Sequence, residues 1–116
     1  MFALVGAGLN REQTSFEVAV LGVVDDGFPI VVECGFADAL GEQHRIIEKV
    51  PVISDADELV PPVGYVFCEV VRRWTDEAGR ELVAVSTEQP FYIASTTDKT
   101  EFTLSTTQLL PRRETS

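Results

Sequence analysis

The sequence predicts an all-β domain: a small antiparallel barrel or a compact sandwich, with one short helical turn near 54–60. Three observations carry this. Apolar runs rich in Val, Ile and Phe recur every 8–15 residues, tight-turn signals separate them, and no stretch has the sustained 3.6-residue periodicity of a long helix.

The first three strands are read at about 15–24, 28–37 and 42–50. The "DDG" of residues 25–27 marks the first hairpin, because Asp and Gly tolerate the positive φ that tight turns need. "DALG" at 38–41 marks the second, with Gly41 suited to the left-handed position. The middle strand alternates, placing Phe28, Ile30, Val32, Cys34 and Phe36 on one face and Glu33 on the other. Pro51 has no backbone donor, which puts it at a strand end, a bulge or an edge.

In "SDADELVPPVG", Ser54 followed by acidic residues resembles a helix N-cap, whereas the Pro61 after Val60 limits the segment to one helical turn. "DADE" lacks the ligand spacing and central glycine of an EF-hand loop, so no calcium site is assigned. A long strand is predicted over 64–74, with Val66, Cys68 and Val70 on one face and Phe67, Glu69, Val71 and Arg73 on the other. "TDEAGR" turns the chain through Gly79 into a strand at 81–87. A last hairpin is predicted from "FYIAS" at 91–95 and "FTLS" at 102–105. The domain spans 1–110, and 111–116, "PRRETS", forms a flexible tail without an apolar anchor.

Three strands, a short helical turn and then further strands resemble the layout of OB-folds. An SH3-like barrel or a small sandwich fits the same order, and this is a likeness of layout alone.

Composition narrows the function classes. With 45% hydrophobic residues, the 116-residue chain supports one packed core. Nineteen acidic against nine basic residues give a formal charge of −10, which repels phosphate backbones and anionic lipid surfaces. Neither nucleic acid nor membrane is therefore an expected partner. No apolar run reaches the roughly 20 residues of a membrane helix. "MFALVGAGLN" has no basic residue ahead of it and no cleavage site, so cytoplasmic location is expected. Cys34 and Cys68 sit in apolar strands and are expected reduced and buried.

The chemical motifs are few. His44, the sole histidine, and Glu48 would share a helix face, but on a strand they stand about 13 Å apart and cannot share a ligand. Two cysteines and one histidine at 34, 44 and 68 lack zinc-site spacing. "LVGAGLN" opens like a dinucleotide loop, but Arg11 replaces the third glycine and no helix has room to follow. No catalytic, cofactor or metal residue is assigned. Arg72 and Arg73 in "VRRW" point to opposite faces of a strand, which argues against a nucleic-acid stripe. One glutamate stands in each of four apolar strands: Glu17, Glu33, Glu48 and Glu69. Solvated outer faces account for them. If they converge, Glu17, Glu33 and Glu69 with Arg73 form a partner-binding face.

The function expected is a non-catalytic binding or interaction module. Its partner would be another protein, or a second copy joined through an edge strand: the Pro51 strand or the C-terminal hairpin. The alternatives are a small enzyme using paired carboxylates, with Glu33 and Glu69 as the pair, and an acidic inhibitor of a nucleic-acid-binding protein.

Overall fold

The computed structural model describes residues 12–110. The glycine-containing start "MFALVGAGLN" and the 111–116 tail lie outside the described residues. Seven strands form one antiparallel sheet: β1 (Gln13–Asp25), β2 (Val31–Ala37), β3 (Gln43–Lys49), β4 (Val63–Thr75), β5 (Glu81–Ser86), β6 (Glu101–Ser105) and the two-residue β7 (Leu109–Leu110). A helical turn α1 (Val50–Ile53) and a 3₁₀ turn (Thr106–Gln108) complete it.

The strand order is β3-β2-β1-β4-β5-β6, with β7 pairing β1. The sheet curls into a half-barrel rather than splitting into two stacked layers. The first three strands are a meander, and β4 returns to β1 on the side away from β2. A three-strand meander, a helical turn and then further strands is the element order, and β3 and β6 end the sheet unpaired with each other among the described residues. Alternation decides which face is inside. Phe16 and Val18 of β1, Val32, Cys34 and Phe36 of β2, His44 and Ile46 of β3, and Val66 and Cys68 of β4 are all buried. β5 is buried continuously from Leu82 to Val85, as a strand covered on both faces must be.

The two outer strands are tied to loops. The carbonyl of Arg45 on β3 accepts from Thr96 N–H at 2.8 Å, and Thr103 of β6 accepts from Ala39 N–H at 2.9 Å. These bonds bring the segments flanking each edge across the open side of the half-barrel. They also occupy part of the ladder positions that an incoming strand would use.

The structure corrects three sequence expectations. The helical turn falls at Val50–Ile53, just before the predicted 54–60. Pro51 presets the helical φ in a first turn, where its missing N–H costs nothing, and Val50 and Ile53 bury on one side. Ser54 ends that turn, and its Oγ accepts from Ala56 N–H. Ile53 lies over Gly64 so closely that a Cβ there would meet Ile53 Cδ1 at 2.6 Å.

Residues 91–95 form no strand. Thr87 is buried and gathers this segment instead: its amide donates to Thr100, its carbonyl accepts from Ile93, and its hydroxyl donates to Ile93. Ile93 enters the core, Ser95 caps a turn to Lys99, and β6 takes the place beside β5.

Phe28 is not on the inner face with Ile30. It is 95% exposed, because β2 begins only at Val31 and residues 27–29 form a bend. Gly27 N–H donates to the Asp25 carboxylate, which fixes that bend.

Candidate functional site

The four residues of the predicted partner-binding face are set apart along the sheet. Glu17 is exposed opposite Tyr65. Glu33 stands between Gly22 and Ile47 and pairs with Arg45 at 3.1 Å. Glu69 is half-buried opposite Gln13 and Ser86. Arg73 pairs with Glu12 at 2.7 Å. Glu48 faces Val32, so no two of the strand glutamates oppose one another in register. Glu33 and Glu69 project from β2 and β4, on opposite sides of β1, beside Gly22 and Gln13. Nine positions of β1 separate those partners, on the order of 30 Å along the strand. Two carboxylates that far apart cannot act on one reacting bond.

The structure also brings together residues that the sequence left separate. Asp38 follows β2 and His44 begins the inner face of β3. His44 Nε2 lies 2.8 Å from Asp38 Oδ2, with both side chains almost fully buried. The other Asp38 oxygen accepts from the amides of Leu40 and Glu42. The imidazole stacks among Phe36 and Phe102, with ring centroids at 5.2 and 4.9 Å. Burial raises the Asp38 pKa, but hydrogen bonds from His44, Glu42 and Leu40 and the His44 charge outweigh it and hold the carboxyl below its ordinary value.

Glu42 completes a group of three possible metal donors, all within 4.8 Å. Each already has a partner, however, since Lys99 stands 3.8 Å from Glu42. The cluster is closed by its own contacts and holds the β2–β3 turn in shape.

Both thiols are sealed. Burial, with smaller contributions from nearby glutamates, pushes Cys34 up to about 11 and Cys68 up to about 12. Cys34 faces Val20 and Cys68 faces Thr14, six positions apart on β1, an offset of about 20 Å. A bridge between them is excluded by that distance. A shallow, largely open depression of about 260 Å³ is lined by Arg73, Trp74, Thr75, Glu81, Leu82 and Thr106. It does not enclose a substrate.

The surface that stands out is the outer end of the β1–β2 hairpin. β1 is unusually exposed there: all nine residues from Leu21 to Pro29 face solvent. Two bulges cause this. Val20 pairs Cys34 and Gly22 pairs Glu33, which leaves Leu21 as an extra residue. Val23 pairs Val32 and Asp25 pairs Val31, which leaves Val24 extra. The inside–outside alternation is thereby lost, and Leu21, Val23, Val24 and Phe28 are all exposed, Leu21 over Gly35 beside Arg45 and Val23 opposite the inward Val32. β4 pairs with β1 only as far as Ala19, and Val20 N–H donates to Pro62. Beyond that point no strand lies on this side of β1 among the described residues.

Comparison with protein-family models, with curated proteins and with solved structures finds no match.

Proposed function

We propose that the chain is a non-catalytic protein-interaction module that docks its partner at the outer end of the β1–β2 hairpin. The observation that carries this is the run of four large apolar side chains, Leu21, Val23, Val24 and Phe28, on nine consecutive exposed residues. Single exposed apolar residues are common, but four large ones within eight consecutive residues at one end of the sheet favour a binding surface. The wide separation of Glu33 and Glu69 favours binding over paired-carboxylate catalysis. Buried, reduced thiols fit the cytoplasm.

The ties from β3 and β6 to neighbouring loops move the expected docking site away from those edges. The test places a photoreactive phenylalanine analogue at position 28 and, as a control, at position 67 on β4. The proposal expects a discrete adduct from position 28 in extract of the source cell. Unlabelled wild-type protein should compete it away, and a Val24→Ser/Phe28→Ser chain should not. Equal competition by both chains would remove the hairpin end as the docking site.

A further inference from the structure

The chemistry around the hairpin end selects the kind of partner. Two segments build this end of the barrel: residues 19–30 and the connector 50–62. They are pinned together at both roots, because Val20 N–H donates to Pro62 and Val50 N–H donates to Ile30. The connector adds exposed Leu59, 71% accessible, and Val60 to the apolar side chains of the hairpin. Together the segments carry five carboxylates, Asp25, Asp26, Asp55, Asp57 and Glu58, and not one Lys, Arg or His.

Two cations stand near them. Arg45 passes over Gly35 beside Leu21, but its guanidinium is paired with Glu33. Lys49, exposed at the end of β3, stands opposite Val31, which is itself opposite Asp25, so one positive charge stands against the five negative ones. The result is an exposed apolar surface in a predominantly negative electrostatic field.

That combination excludes several occupants. A second copy would bring five more carboxylates to the same place, on a chain already at a formal −10. The two bulges also break the regular row of outward amides that edge-to-edge pairing needs. Anionic lipid and nucleic-acid phosphate are repelled by the same field. What remains complementary is an apolar segment bearing cations.

We infer that this end of the barrel receives a basic, apolar segment of a partner protein, its apolar side chains against Phe28, Val24 and Leu21 and its cationic groups against the surrounding carboxylates. This rests on the reading of the hairpin end as the docking surface. Apolar contact supplies the affinity, and the carboxylates supply orientation, association rate and discrimination against acidic partners.

The test titrates the isotope-labelled full chain with two short synthetic peptides, followed by amide chemical shifts at low and high salt. One peptide alternates lysine with phenylalanine and valine, and the other has serine in place of every lysine. The inference expects saturable shifts confined to residues 21–30 and 55–60 with the lysine peptide. Asp25→Asn/Asp26→Asn should weaken its binding roughly five-fold at low salt and much less at high salt. Glu77→Gln/Glu81→Gln on the far β4–β5 hairpin should leave it unchanged.

If the serine peptide binds the hairpin end as tightly as the lysine peptide, the docking surface stands and the basic-partner inference is overturned. Lysine-peptide shifts spread over Glu77 and Glu81 as strongly as over the hairpin end would overturn it too. If neither peptide shifts the hairpin end, the docking surface itself is refuted.

Discussion

His44 Nε2 and Asp38 Oδ2 meet at 2.8 Å across the β2–β3 turn, with side chains only 6% and 5% exposed. An imidazole stacked among Phe36 and Phe102 needs a polar partner, and a buried carboxylate needs donors. Each supplies the other. The same turn carries Ala39, whose N–H reaches Thr103 and whose carbonyl accepts from Arg80. A contact that looks like the start of a catalytic pair therefore holds the seam of the half-barrel.

Asp38→Ala removes three acceptor contacts at once, from His44, Leu40 and Glu42. It is expected to cost about 2–3 kcal/mol, because a buried donor is left without a partner. Asp38→Asn keeps an acceptor for the two amides and is expected to cost less. Urea denaturation of the three chains measures the order.

Acid should weaken the fold through this residue. The folded Asp38 carboxyl titrates below its ordinary value. Its stabilisation is thus complete above the unfolded pKa of about 3.9 and is lost as pH falls through the lower folded value. Denaturation at a series of pH values below about 5 should show a steeper loss in the wild type than in Asp38→Asn. Equal slopes would show that Asp38 does not contribute to acid sensitivity.

Gly64→Ala places a methyl group 2.6 Å from Ile53 Cδ1 and 3.1 Å from Ile53 Cβ and Cγ1. The expected cost is about 1–3 kcal/mol. Adding Ile53→Val removes the closest atom and should recover part of the loss, a non-additivity that a double-mutant cycle reads directly.

Cys34 and Cys68, buried and with pKa values of about 11 and about 12, should resist thiol reagents in the folded chain at pH 8. Labelling should proceed at the rate of unfolding and accelerate sharply in urea. Rapid native labelling would contradict the packing of β2 or β4.

Much of the fold was legible because alternation is a local signal. Val32, Cys34 and Phe36 read as inward and are buried, and the extended reading of His44 correctly separated it from Glu48. Its real partner was hidden because Asp38 belongs to "DALG" and reads as a turn residue. It does act as one, through Leu40 and Glu42, while its second oxygen reaches His44. The clue was that Ala37 and Gln43 close the hairpin, which brings an acid just past Ala37 near a histidine just past Gln43.

The hairpin end was illegible for a different reason. Bulges at Leu21 and Val24 are set by three-dimensional register, and "VLGVVDDGFP" reads as an ordinary strand and turn. The strand 91–95 does not form because Tyr92 takes a left-handed φ of 52° and Ile93 turns back onto the buried Thr87, a non-local arrangement that the β propensity of "FYIAS" does not reveal.

The most direct test of the docking account is the state of Phe28 itself. A fluorine-labelled phenylalanine at that position, followed by NMR in dilute free protein, should give a narrow resonance with the solvent-isotope shift of an exposed ring. Adding the captured partner should broaden or move it and quench that isotope shift. A ring already shielded from solvent in the dilute free chain, or one that stays fully exposed in the partner complex, would contradict the account.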